Sequence, residues 1–176
     1  MRMANTTLDR ADDPGAWEYP DGSRLEPAGM VALKNAFNHS RQFENLSPWE
    51  DAVSGIKRLV DEHGVYIIAV TACGTDPDVI VSRRRNLDRV FGGRIHEVYH
   101  TNGDKTDQLR SIAGQMDPSD PLWFIDDYWK SVVQAREVGF RTIQMRAPNA
   151  RYDDRAMPNH TLTHWMGIAN VILGGI

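Results

Sequence analysis

Residues 122–145, LWFIDDYWKSVVQAREVGFRTIQM, constrain the fold of this chain more than any other stretch. Leu122 to Ile125 form an apolar run that ends in adjacent carboxylates, Asp126 and Asp127. A helical pattern follows, closes at Gly139, and gives way to a second apolar run, Phe140 to Met145. The pattern predicts strand, acidic tip, helix, strand. In a parallel α/β sheet the carboxyl ends of strands form the ligand crevice. Two carboxylates placed there oppose each other's charge unless a cation or proton intervenes. A hard divalent metal such as Mg²⁺ is the simplest resolution, which makes Asp126 and Asp127 the expected metal ligands. The plainer alternative is that one acid caps the following helix while the other meets solvent.

The same alternation runs back along the chain. Ser47, Pro48, Trp49 and Glu50 combine an N-cap, a first-turn proline and a capping-box acid. Ala52, Val53, Ile56, Leu59 and Val60 follow as one apolar stripe, and Gly64 supplies a stop. VYIIAV, 65–70, reads as a buried strand from its continuous apolar content. Thr71 to Gly74 form a small-residue turn, and Asp76 and Pro77 open a helix that ends near Phe91 and Gly92. Ile95 to His100 is a short strand, and a helix beginning at Lys105 runs to about Met116. Strands and helices thus alternate four times, which predicts an α/β fold: a three-layer, Rossmann-like, mostly parallel sheet with helices on both faces. The whole chain reads as a single domain. Residues 1–30 are polar and turn-rich, and 30–46 are weakly helical, with Met30, Leu33 and Phe37 on one face. Residues 146–158 are irregular, and Thr161 to Leu173 read as a terminal helix.

Bulk properties narrow the function. The chain has 176 residues with 41% apolar and 25% charged content, enough for one substantial core. Its formal net charge of −4 argues against a protein held to DNA by a basic face. A nucleotide or a strand end remains open as substrate. One cysteine, Cys73, excludes an intramolecular disulfide. No apolar run approaches the roughly 20 residues of a membrane helix, and the N-terminus lacks the apolar core of a signal peptide. A cytoplasmic protein without a membrane partner is the expectation.

Three strand tips carry polar chemistry in a fixed order: Thr71, then Lys105, then Asp126 with Asp127. A hydroxyl can donate to a phosphoryl oxygen, an ammonium can neutralise charge developing there, and the acids can hold Mg²⁺ on the same group. Phosphoryl transfer requires this electrostatic equipment. Each residue also has a plain reading: Thr71 as a turn hydroxyl, Lys105 as a solvated helix lysine.

These residues resemble the haloacid dehalogenase-like (HAD) phosphohydrolases. IIAVT, 67–71, is similar to their second motif, an apolar strand ending in Ser or Thr. Lys105 in GDKTDQL is similar to the third, a lysine near a helix start. FIDD, with Ala135 and Gly139 in the next helix, is similar to the fourth. The resemblance covers roughly 47–145 and looks closest to small bacterial and phage members related to polynucleotide 3′-phosphatases and 5′-nucleotidases. It implies a Mg²⁺-dependent phosphomonoesterase acting on a nucleotide or a nucleic-acid end. Thr71 and Lys105 would hold the phosphoryl group, and Asp126 or Asp127 the metal. It also implies that the loop 9–46 is at most a minimal cap, which suits a large or extended substrate. A homo-oligomer is compatible with this reading.

The first HAD motif, DxDxT, departs from the pattern. Aligning Thr7 and Leu8 with its end puts Met3 at the nucleophile and Asn5 at the general acid/base. A thioether is a poor nucleophile toward a phosphate ester, and an amide has no useful titration. Three explanations stay open at this point. The chain is a degenerate, non-catalytic binding or regulatory member; or Asp9, Asp12 or Asp13 enters the site from the loop; or the central strand lies outside this chain and comes from another segment or a partner.

Other features take their ordinary readings. Cys73 reads as a packed small residue with no histidine locally placed to activate it. His160 and His164 sit four apart on the expected terminal helix, a spacing that permits shared metal ligation but lacks a third ligand. Arg83, Arg84 and Arg85 read as a solvated helix face. Trp17, Tyr19 and Trp49 are aromatic packing over the site or a stacking surface for a base.

Overall fold

A computed structural model describes residues 9–10, 17–18, 24–146 and 156–174. Three two-residue strands, β1 (Asp9–Arg10), β2 (Trp17–Glu18) and β3 (Arg24–Leu25), pair antiparallel in order. Two helices follow, α1 (Pro27–Asn38) and α2 (Arg41–Glu44). Helix α3 (Ala52–Lys57) runs on into a π-helical turn, Arg58–Glu62. Then comes the alternating part: β4 (Ile68–Thr71), α4 (Pro77–Phe91), β5 (Glu97–His100), α5 (Thr106–Gln115), β6 (Trp123–Asp126), α6 (Trp129–Val138) and β7 (Arg141–Met145). Strand β8 (His160–Leu162) and helix α7 (Trp165–Ile172) complete the described fold. Among the described residues no helix is long and apolar enough to cross a membrane.

Local chemistry explains the best-defined helix. The Asp76 carboxylate accepts from the Asp78 and Val79 N–H groups at 2.9 and 3.4 Å, Pro77 occupies the first turn, and Gly92 closes the helix at φ 60°. Gly139 ends α6 in the same left-handed way, at φ 104°. The expected start at Ser47–Glu50 is different: those residues precede the helix, and α3 begins at Ala52. Asp51 explains this. Its Oδ2 accepts from the Met166 N–H at 3.0 Å, so it caps the distant α7 rather than its own helix. Desolvation pushes the Asp51 carboxyl up, but hydrogen bonds from the Met166 and Trp165 N–H groups outweigh it and hold the group below its usual range. The terminal helix is also shorter than expected, because His160–Leu162 extend as a strand alongside β7.

Strands β4 to β8 are parallel, as expected for an α/β fold, and among the described residues they are hydrogen-bonded as two sheets. Among the described residues β4 pairs only with β5, from Ile68↔Glu97 to Thr71↔His100. A second sheet runs β6-β7-β8, from Trp123↔Arg141 and Ile143↔His160. Two apolar clusters flank this second sheet. Phe124 packs with Leu109 and Ile112 of α5, Ala135 of α6 and Phe140, and Ile68 and Val70 of β4 join the same cluster. Trp123 and Ile125 turn to the other side, with Ile143, Met145 and Ile168 of α7. The period-two alternation along β6 is what lets one strand serve both clusters. The segment 30–46, expected to be weakly helical, lies in α1 and α2, and the apolar face of α1 is largely open: Leu33 and Phe37 are exposed.

Helices α3 and α7 meet at a glycine. A Cβ built on Gly55 would lie 2.8 Å from the Trp165 Cβ and 3.0 Å from its carbonyl oxygen. Glycine-to-alanine in an exposed helix normally stabilises by roughly 1 kcal/mol. At Gly55 the sign reverses, because overpacking costs roughly 1–3 kcal/mol. Gly55→Ala is expected to lower the thermal midpoint, whereas Ala at the exposed neighbour Ser54 leaves it unchanged or slightly raised. Melting curves of the two variants side by side check this. An unshifted Gly55→Ala midpoint would show that the helices do not approach so closely.

Candidate functional site

The carboxyl ends of the parallel strands present the predicted residues. Thr71 is the last residue of β4, Lys105 immediately precedes α5, Asp126 ends β6, and Asp127 follows it. Lys105 and Asp126 meet: Nζ lies 2.5 Å from Oδ2, with side chains only 10% and 11% exposed. The other carboxylate oxygen of Asp126 accepts from the Tyr128 N–H at 2.8 Å, which turns the chain into α6. The Lys105 backbone N–H donates to Gln134 Oε1 at 3.1 Å, and its ammonium lies 5.5 Å from the centre of the Phe124 ring. This pair therefore ties the β5–α5 unit to the β6–α6 unit.

The other two residues stand differently. Asp127 is exposed. Thr71 is half-buried in the β4–β5 sheet, its carbonyl held by the Thr101 N–H at 2.9 Å. Among the described residues no hydrogen bond joins its hydroxyl to Lys105 or Asp126. The positions aligned with the first motif, Met3, Asn5 and Thr7, lie outside the described residues, as do Asp12 and Asp13.

The chemistry of these groups bears on a metal. Asp126 has one oxygen on Lys105 and the other on Tyr128. A carboxylate has about four acceptor positions, so lone pairs remain. Mg²⁺ commonly uses one or two carboxylates and completes its shell with water and substrate phosphate. Asp126 and Asp127 fit that mode. They do not fit an all-protein cage: among the described residues no group of three His, Cys, Asp or Glu could hold a metal ion. A surface cavity of about 300 Å³, lined by Asp117, Asp120, Leu122 and Arg141, opens at the amino ends of β6 and β7 and lies apart from the tips.

A cluster beside Thr71 carries no signature in the sequence. Cys73 does have a histidine: its Sγ lies 3.3 Å from His100 Nδ1. The parallel register that sets Thr71 opposite His100 makes this contact, and register is not legible in a single sequence. Asn38 Nδ2 donates to the Cys73 carbonyl at 2.9 Å. Arg83 also departs from the solvated face expected of it. Its guanidinium is largely buried over the Phe43 ring and donates to Asn86 Oδ1 at 2.9 Å. Arg84 remains on the surface beside Asp88, and Arg85 is exposed. His160 and His164 do not share a helix face, since one is in β8 and the other precedes α7. Trp49 is exposed.

Burial, and then the neighbouring Arg83 charge, hold His100 below the ordinary imidazole value. The linkage follows from that direction. The unfolded chain takes up the proton first as pH falls through the ordinary value, so stability declines from there until the folded-state value is passed. Arg83→Met removes the repulsion and leaves the burial. His100 is then expected to titrate higher, though still below an exposed imidazole. A two-dimensional NMR titration of the imidazole resonances reads both. An unchanged His100 midpoint would place the Arg83 charge out of reach.

No family model matches the chain. An uncharacterized 32.4 kDa protein in the Gp30-rIII intergenic region of Enterobacteria phage T4 is 33% identical over 76 residues, 43% of this chain. The chain spans about a quarter of that relative's length, the match covering 27% of it. Two crystal structures resemble the fold. A dehalogenase with an intermediate complex aligns with a TM-score of 0.61 at 12% identity, over 82% of this chain and 70% of that one. A second dehalogenase structure aligns at 0.56 and 16%, over 84% of this chain and 64% of that one. The chain shares the fold of these two dehalogenase structures. At these identities the likeness concerns the fold alone.

Proposed function

We propose that the strand tips bind a phosphomonoester, that of a nucleotide or a nucleic-acid end, together with Mg²⁺. The observation that carries this reading is the buried Lys105–Asp126 pair, which puts a fixed ammonium and a carboxylate at the carboxyl ends of parallel strands. Such groups are costly to bury and are held there by each other. In the reading, Lys105 and Thr71 orient the phosphoryl oxygens. Asp126 and the exposed Asp127 hold the metal, which when bound neutralises charge on the same oxygens. The phosphatase-like branch of the HAD group, inferred from the motifs, supplies the substrate class.

Hydrolysis needs a nucleophile as well. Met3 and Asn5, at the aligned positions of the first motif, cannot supply one. The reading is therefore of a binding site with the phosphatase layout and without an assigned nucleophile. A non-catalytic binding or regulatory role on the same scaffold rests on that departure.

Titration of the whole chain with Mg²⁺ and inorganic phosphate tests the binding, and p-nitrophenyl phosphate tests turnover. Saturable Mg²⁺ binding that Asp127→Asn weakens at least tenfold is expected, about 1.4 kcal/mol. Binding without turnover supports the non-catalytic role. Turnover abolished in Asp127→Asn would establish an enzyme. A folded protein that binds neither Mg²⁺ nor phosphate at millimolar concentration would end the proposal.

A further inference from the structure

Strand β7 buries a polar side chain that packing alone does not explain. Thr142 to Met145 are all buried, and Gln144 is 1% exposed. The Thr142 hydroxyl is matched, since it donates to Asn159 Oδ1 at 3.3 Å. The Gln144 amide oxygen is not. Among the described residues its Oε1 is buried and has no hydrogen-bond donor. A buried acceptor in this state costs stability, so its presence calls for a reason. Two buried donors also lack a partner, Trp123 Nε1 and Arg83 Nε. Neither serves Gln144: Trp123 packs with the Ile143 cluster on the other face of the sheet, and Arg83 lies over the Phe43 ring.

Register and alternation place that residue at the strand tips. Gln144 lies opposite Asp126 in the parallel β6–β7 ladder. Ile143 and Met145 pack with Ile168 of α7, so Gln144 turns to the other face. Phe124 is on that face with α5 and α6, and Asp126, two residues on, follows it. Gln144 and Asp126 are thus neighbours on one face, at the carboxyl end of the sheet. Asp126 already receives the Lys105 ammonium and the Tyr128 N–H. Lone pairs remain on Asp126 as well as on Gln144. Adjacent oxygen acceptors with spare lone pairs suit an occupant that brings positive charge and donors together, a hydrated divalent cation.

We infer that Gln144 belongs to the cation site of the strand tips, where its Oε1 accepts a hydrogen bond from a water carried by bound Mg²⁺. The inference rests on the cation-binding reading above and adds a residue to it. Mg²⁺ keeps several of its waters when it binds through one or two carboxylates. The protein then grips the ion partly through those waters, and each water needs an acceptor. Asp126 and Asp127 supply charge, and Gln144 supplies a neutral acceptor on a buried strand. A neutral amide suits the place, because another carboxylate beside Asp126 would add repulsion in the free protein. Without the ion the same oxygen is a cost to folding, the pattern of a residue kept for a site rather than for stability.

Calorimetric Mg²⁺ titration of the whole chain, paired with thermal melting, tests this without any turnover. Gln144→Met keeps the side-chain length and removes the acceptor. It is expected to weaken Mg²⁺ binding roughly tenfold or more. Its midpoint in metal-free buffer should equal or exceed the parent's, because an unpaired buried oxygen is gone. Gln144→Glu restores an acceptor and should bind Mg²⁺ at least as tightly as the parent, with a lower metal-free midpoint. Unchanged Mg²⁺ affinity in Gln144→Met overturns the inference, and a lowered midpoint beside it would identify a purely structural amide. If Asp127→Asn still loses binding in that case, the cation site stands and Gln144 alone is removed from it. Weakened binding together with a lowered midpoint counts for the inference only where Gln144→Glu restores the affinity, and against it otherwise. Should Gln144→Met not fold, Gln144→Glu decides, and binding weaker than the parent's overturns the assignment. A parent that binds no Mg²⁺ ends both this inference and the reading beneath it.

Discussion

Lys105→Met is expected to lower the unfolding free energy by about 3 kcal/mol, the largest single-residue effect outside the apolar core. Lys105 and Asp126 are about nine-tenths covered, and each is the other's counter-ion. Removing the ammonium leaves a carboxylate whose remaining support is one hydrogen bond from the Tyr128 N–H. Desolvation of that unmatched charge, rather than loss of a favourable bond, accounts for the size of the effect. The double variant Lys105→Met with Asp126→Leu should recover much of the loss, since a buried ion pair is often no better than apolar groups of similar volume. Urea unfolding of the single and double variants, read as a double-mutant cycle, gives the coupling directly. A loss in the double variant equal to the sum of the two single losses would show that the two groups do not interact. The cycle also separates stability from function: the double variant should fold and yet fail to bind phosphate.

Leu109→Ala carries the second large effect, a loss of about 3 kcal/mol within the roughly 2–5 kcal/mol span of such truncations. Leu109 is 1% exposed and lies in the cluster that contains Phe124 of β6 and receives Ile68 and Val70 of β4. This cluster and the Lys105–Asp126 pair connect the β4–β5 sheet to the β6–β7–β8 sheet. The truncation should therefore also weaken ligand binding at the tips, although Leu109 would touch no ligand. Leu33→Ala on the exposed face of α1 serves as the comparison and should stay within about 0.5 kcal/mol of the parent. Chemical denaturation of both variants measures the contrast. Similar small losses in the two would mean that the cluster is loosely packed.

Much of the alternating part is legible in the order of residues alone. Asp76, Pro77 and Gly92 mark the ends of α4 because capping is local chemistry that needs only near neighbours. The acidic tip at Asp126 is legible for a similar reason, since an apolar run ending in charge must stop at a surface or a site. Features that depend on a distant partner are not legible. Asp51 caps α7, a helix more than a hundred residues away, and so the helix start expected at Ser47 is displaced. His160 joins a strand because β7 offers an edge to pair with. His100 meets Cys73 because of a register that one sequence does not specify.

The chain's own order of residues determined that parallel βα units would form and that Thr71, Lys105 and Asp126 would end or follow strands. Propensity, capping and periodicity act over a few residues, and those are written in the chain. Tertiary structure alone decided that Lys105 would bind Asp126, that Arg83 would lie over the Phe43 ring, and that His160 would pair with β7. Burial and long-range pairing set these outcomes, because a charge or a strand edge takes its final partner from whatever the packed chain brings beside it.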